Sequence, residues 1–193
     1  MRPTEAGSVP DGRAAEIAAR IRRLGEGRGG ILIIEGMPET GKSRLAGEAR
    51  ALAESAGIRV LSGAGERVRR TVPFGALRRA LESGTGSVAD AGIVRTLSES
   101  ADQRFWLFPA LGDQLRRASL EAPLLVIVDE LQWCDTGTLL ALRALAPRLS
   151  SDAILWLIVV RAGVPGPAVR ATVGHLARSS MFSANHHGKG RPT

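Results

Sequence analysis

The stretch Gly36-Met37-Pro38-Glu39-Thr40-Gly41-Lys42-Ser43-Arg44-Leu45 decides the fold. Four residues separate two glycines, and the second glycine is followed at once by lysine and serine. That is the frame of a loop that cradles phosphates. Glycines free the backbone, N–H groups turn inward, the lysine meets phosphate charge, and the hydroxyl offers an oxygen to a metal ion. Of 26 basic residues only Lys42 and Lys189 are lysine. With this composition, a chance match to the frame is expected only about 0.003 times in a chain of this length. Arginine is used almost everywhere else, yet lysine stands where phosphate contact favours a compact ammonium over a planar fork.

The flanks supply the context that the loop requires. Ile31-Leu32-Ile33-Ile34-Glu35 is a short β-branched run between Gly29-Gly30 and Gly36, and reads as a buried strand. After the loop, Leu45, Ala46, Ala49, Leu52, Ala53 and Ala56 recur at helical steps until Gly57. Strand, glycine loop and helix in succession aim backbone N–H groups and a helix N-terminus at the phosphates. The candidate nucleotide-binding set is therefore Gly36, Met37, Pro38, Glu39, Thr40, Gly41, Lys42, Ser43 and Arg44. Lys42 reaches for the β- and γ-phosphates, and Ser43 for Mg²⁺.

A phosphate loop needs a carboxylate to share the metal. Leu124-Leu125-Val126-Ile127-Val128 is continuously apolar, as in a strand covered on both faces, and it ends at Asp129-Glu130. Ligands of open α/β sheets gather at the carboxyl ends of strands. Asp129 is thus the metal candidate beside Ser43, and Glu130 the candidate base that orients and deprotonates water. The plainer alternative, an acidic pair capping the next element, ignores the loop upstream. Ala153 to Val160 forms another apolar strand ending at Arg161, placed to meet a γ-phosphate, or else a solvated arginine opening a loop. A short strand is expected at residues 58–61. Helical spacing marks Ala14 to Leu24, Phe74 to Leu81, Phe105 to Leu115 (kinked or begun near Pro109) and Leu139 to Leu149. Residues 83–101, rich in Gly, Ser and Asp, are expected to be a loop or weak insertion. Strands alternating with helices predict a three-layer α/β fold of the P-loop NTPase kind with a mostly parallel sheet.

Bulk properties narrow the alternatives. The 193 residues are 44% hydrophobic and 23% charged, which suits one globular domain. The formal charge of +7 is spread along the chain rather than blocked, so it reads as a solvated surface more than a nucleic-acid footprint. A lone cysteine, Cys134, fits a reducing compartment. Residues 1–12 carry no apolar signal, and the eight-residue run from Ala153 to Val160 is too short to span a bilayer. The expected location is cytoplasmic. His186-His187 lacks further ligands at metal-site spacing. Trp106, Trp133 and Trp156 read as core or near-core residues.

These motifs resemble the ATPase module of signal-transduction NTPases (STAND) of the AAA-related superfamily. More narrowly they resemble the N-terminal part of large LuxR-type transcriptional regulators from high-GC bacteria. The resemblance covers residues 12–166. Gly12-Arg13-Ala14-Ala15-Glu16 is similar to a box before the family's first helix, which implies that Arg13 lies near the nucleotide. Residues 71–77, Thr-Val-Pro-Phe-Gly-Ala-Leu, resemble a segment after the second strand. Val128 to Asp135, Val-Asp-Glu-Leu-Gln-Trp-Cys-Asp, resembles an extended Walker B motif with Cys134 where alanine is usual. Arg161 occupies the sensor position. The resemblance implies an ATP-binding, Mg²⁺-dependent switch with slow hydrolysis, catalysed with Glu130, Lys42 and Arg161.

Family members continue through further domains to a helix-turn-helix, which is not evident here, so direct DNA binding is not expected from this chain. The expected organisation is a disordered segment 1–11, an ATPase domain at 12–170 and a disordered tail at 171–193, the C-terminal part of the module being cut short. A fifth strand beside the loop strand is not evident, which leaves that strand at an edge. Expected partners are ATP and either a second copy or a separate regulator chain. Nucleotide binding without chemistry, nucleic-acid binding through Arg67-Val68-Arg69-Arg70 and Arg116-Arg117, and small-molecule phosphorylation remain as alternatives.

Glu39 departs from the family, in which glycine is usual. A side chain there is strained by about 1 kcal/mol if the loop needs positive φ. A carboxylate turned inward would repel phosphate. With Glu39 turned outward, the site works but is weakened. Glu39→Gly is then expected to tighten ATP binding in a calorimetric titration, and an unchanged affinity would refute the outward-facing glutamate.

Overall fold

Four apolar runs pair into one parallel sheet. The computed structural model describes residues 12–37, 41–69, 72–84, 88–99, 104–163 and 165–179. Its strands are β1 (Gly30–Gly36), β2 (Arg59–Ala64), β3 (Leu124–Asp129) and β4 (Ile154–Arg161), in the spatial order β1-β4-β3-β2. All pairings are parallel. Gly30 faces Leu155 and Gly36 faces Arg161 across β1 and β4. Leu124 faces Ile154 across β3 and β4, and Ala64 faces Asp129 across β2 and β3.

Alternation along the strands divides the core into two layers. Leu32, Ile34, Leu125, Ile127, Leu155, Leu157 and Val159 pack with helices α1 (Gly12–Gly25) and α2 (Lys42–Ser55). Their neighbours Ile31, Ile33, Leu124, Val126, Val128, Trp156 and Ile158 face the opposite layer. That layer holds α3 (Gly75–Ser83), α4 (Ala91–Glu99), α5 (Arg104–Glu121), α6 (Thr136–Arg148) and α7 (Pro167–Ser179). Burial on both faces explains the unbroken apolar sequences of β3 and β4. Trp156 is fully buried in the strand centre, and its indole N–H has no acceptor. Trp133 is half-buried with the Arg67 guanidinium 5.4 Å from its ring centre, a cation–π contact. The side chain of Trp106 lies outside the described residues. No described helix is long and apolar enough to cross a membrane.

Two expectations are corrected. Residues 171–179 are not tail. They continue α7, which buries Val169, Thr172 and Leu176 against the sheet layer. Pro167 opens that helix, where its missing N–H costs nothing. Thr172 fills an apolar position by donating its hydroxyl to the Ala168 carbonyl at 2.9 Å, which hides the helical period. Residues 91–99, expected as loop, form α4. Asp90 opens it by accepting from the Gly92 N–H at 2.7 Å, and Leu97 buries its apolar face. The helix expected over Phe105 to Leu115 lies within α5, which begins at Arg104, ahead of Pro109, so the proline sits in its second turn and removes one backbone hydrogen bond. Residues 1–11 and 180–193 lie outside the described residues.

One buried carboxylate joins the segment before α3 to α6. Asp135 is the N-cap of α6, accepting from the Thr138 N–H at 2.9 Å and its hydroxyl at 2.7 Å. It also accepts from the N–H groups of Phe74 at 2.7 Å and Gly75 at 3.0 Å. Phe74 is held left-handed at φ 54°, a conformation that a bulky residue keeps only under such restraint. Asp135→Ala removes a cap and takes away the carboxylate acceptor of the Phe74, Gly75 and Thr138 N–H groups. It is expected to lower unfolding free energy by about 3 kcal/mol or more in urea titration.

Candidate functional site

The sheet brings the sequence motifs to one edge. β1 and β3 are not neighbours, because β4 lies between them. Arg161 therefore ends the strand that separates the glycine loop from Asp129. The Ala162 N–H donates to the Gly36 carbonyl at 3.0 Å, extending the pairing of β4 to the start of the loop.

Pro38, Glu39 and Thr40 lie outside the described residues, so the loop is seen from its two ends. Gly41 adopts φ 76°, ψ 18°, the left-handed region where glycine avoids a side-chain penalty. It precedes α2, whose first turn has no side-chain cap and no acidic residue. Such a terminus offers free N–H groups and a positive dipole end to an anion. Lys42 is the first helical residue and is 8% exposed. Its Nζ donates to the Met37 carbonyl, so the ammonium is folded back across the loop. Ser43 is exposed on the same turn. Arg44 is exposed and pairs with Glu48 at 2.8 Å, one turn along the helix. Arg13, Glu16, Ile17 and Glu35 line a small cleft of about 20 Å³ between β1 and α1, leading to the residue before Gly36.

At the end of β3, Asp129 is half-buried, and its Oδ1 accepts the Glu130 N–H at 2.6 Å. Glu130 is left-handed, at φ 51°, ψ 44°, and caps a single 3-10 turn spanning Leu131–Trp133. A non-glycine residue holds this conformation at a strain of about 1–3 kcal/mol, which the surroundings must offset. The Trp133 N–H donates to the Glu130 carbonyl at 2.8 Å. The Gln132 side-chain amide donates to the Glu130 carboxylate. On the other side, a Cβ on Gly65 would come within 2.4 Å of the Glu130 carbonyl oxygen, so only glycine lets β2 run so close to this turn. Gln132 also accepts the Arg161 N–H at 3.0 Å through its Oε1.

Loop lysine, metal-type carboxylate, base-type carboxylate and strand-end arginine thus stand at or beyond the carboxyl ends of three adjacent strands. Sequence reading singled out all four. It did not assign roles to Gln132 or Asp135, although both lie within residues 128–135. Their partners, Arg161 and Phe74, are far away in sequence, and only folding brings them together.

Among curated proteins none matches the sequence. In solved structures, the chain is similar to a chain of Drosophila ORC bound to AT-rich DNA and Cdc6. The identity is 16% over 91% of this chain and 59% of that one, with a TM-score of 0.47. For Drosophila ORC bound to GC-rich DNA and Cdc6 the identity is 17%, over 91% and 60%, with a TM-score of 0.44. The chain therefore spans about three fifths of the length of these structures. The family described as AAA ATPase domain matches residues 10–159, which contain the glycine loop, both carboxylates and most of β4. The chain belongs to the AAA ATPase domain family.

Proposed function

We propose that the chain is a Mg-ATP-binding switch module that hydrolyses ATP slowly, related to the ATPase part of LuxR-type transcriptional regulators. The observation that carries this reading is the meeting, at the carboxyl ends of β1, β4 and β3, of the loop with Lys42, of Arg161 and of Asp129-Glu130. An order in which β1 and β3 were direct neighbours would leave no strand-end arginine between the loop and the acids.

Each residue has a physical task. The N–H groups of residues 41–44 at the open N-terminus of α2 receive the polyphosphate. Lys42 exchanges the Met37 carbonyl for phosphate oxygen, a stronger charge-assisted partner. Arg13, beside β1, is the candidate contact for the nucleoside end. Ser43 and Asp129 suit Mg²⁺, which is usually held by one or two oxygens of the protein plus substrate phosphates. When bound, Mg²⁺ offsets negative charge on the phosphates. Glu130 takes a proton from water as the water oxygen attacks the γ-phosphorus. The bond to the β–γ bridging oxygen breaks, giving ADP and phosphate, with Arg161 stabilising charge on the transferred group.

The arginines support this reading over nucleic-acid binding. Arg20, Arg50, Arg59, Arg78, Arg79 and Arg116 each lie within ion-pair distance of an acid, spread over several elements. The output of the switch then passes to a second copy or a separate regulator chain.

Isothermal titration with MgATP is expected to show binding that weakens at least about tenfold in Lys42→Ala. Glu130→Gln is expected to keep binding and lose about 100-fold or more in turnover. No binding by a folded wild-type chain would overturn the proposal. Turnover unaffected by Glu130→Gln would remove its hydrolytic half.

A further inference from the structure

We infer that Gln132 is a positioning residue for Glu130, tying the base-type carboxylate to the backbone at the end of β4; this rests on the ATPase reading above. Gln132 is 4% exposed, so its amide is removed from solvent and its hydrogen bonds are made within the protein. Its orientation follows from chemistry. The Arg161 backbone N–H can only donate, so the atom that meets it at 3.0 Å must be Oε1. The Nε2 group is thereby turned the other way, towards the Glu130 carboxylate, to which it donates. A single planar amide thus spans from one strand end to the reactive acid of the next.

The arrangement has a use beyond filling space. Glu130 is exposed to rotation about its side-chain bonds, and a general base must be held within hydrogen-bond reach of its water. Its backbone is already fixed left-handed by the 3-10 turn and by the close approach of Gly65. The Gln132 amide fixes the remaining freedom by occupying one carboxylate oxygen, leaving the other for water. Because the far side of the amide is anchored to the Arg161 N–H, the position of Glu130 is set relative to the strand that carries Arg161. A shift of that strand end when Arg161 meets phosphate is transmitted to the base through one rigid group.

Gln132→Glu separates the two halves of this role. A carboxylate there keeps the shape and still accepts the Arg161 N–H, but it replaces the donor facing Glu130 by an oxygen that repels it. Gln132→Met removes both contacts. Hydrogen exchange of the Arg161 amide in the unloaded chain reports whether the anchor survives. It is expected to be slow in the wild type and Gln132→Glu, and fast in Gln132→Met. Steady-state turnover of MgATP is expected to fall at least about tenfold in kcat for Gln132→Glu, with KM and the calorimetric ATP affinity within about twofold of the wild type. Wild-type kcat in Gln132→Glu, or affinity falling in step with kcat, overturns the assignment. If Glu130→Gln abolishes turnover while Gln132→Glu does not, only the role of Gln132 fails. A wild-type chain that binds ATP without turning it over overturns the hydrolytic reading and this role together.

Discussion

Strand β4 is hydrogen-bonded on both sides, and the geometry of the site depends on those two pairings. Its register with β1 sets Arg161 opposite Gly36, and its register with β3 sets Ile158 opposite Val128, one residue before Asp129. Among the described residues β1 has no other strand neighbour. Remove β4 and the phosphate-type loop has no fixed relation to the acids. The strand is accordingly the most apolar in the sheet, buried from Ile154 to Val160 with Trp156 at its centre. The driving force that holds it is non-directional. The backbone ladder converts that force into a fixed register.

Apolar packing alone does not orient the turns at the strand ends. Two buried polar side chains do so, each joining segments remote in sequence. Asp135 gathers N–H groups from the start of α3 and from α6. Gln132 gathers Glu130 and Arg161. Both lie on the short path from β3 to α6, so one stretch serves sheet, helix cap and site together. A buried hydrogen bond contributes only about 1 kcal/mol net, but an orphaned partner costs more, which makes such groups sharp selectors of one geometry.

The fold class and the placement of Lys42, Asp129, Glu130 and Arg161 near the strand ends were legible because each has a local signature. Glycines bracket the loop, apolar runs mark buried strands, and Asp129 and Arg161 stand where those runs end. Strand order was not legible, since periodicity says which face a residue occupies and nothing of the strand beside it. That β4 separates β1 from β3 required the structure. Helix α7 was missed altogether because Thr172 interrupts its apolar face, and α4 because Gly92 and the serines around it mimic a loop. Glu39, the most conspicuous departure in the loop, lies outside the described residues, so its orientation rests on sequence reasoning.

The strand order also sets a timetable for synthesis. The first strand made, β1, finds its partner only in the last, since Gly30 pairs with Leu155. At a ribosomal rate of 5–20 residues per second, β1 waits on the order of ten seconds for β4 to be made. During that interval β2 and β3 can pair with each other, but the strand that carries the glycine loop cannot join the sheet. Contacts so distant in sequence also slow refolding of the complete chain, because loop closure precedes the reward of pairing. The same crossover that brings Arg161 between the loop and the acids thus makes β1 the last of the four strands to be sheltered.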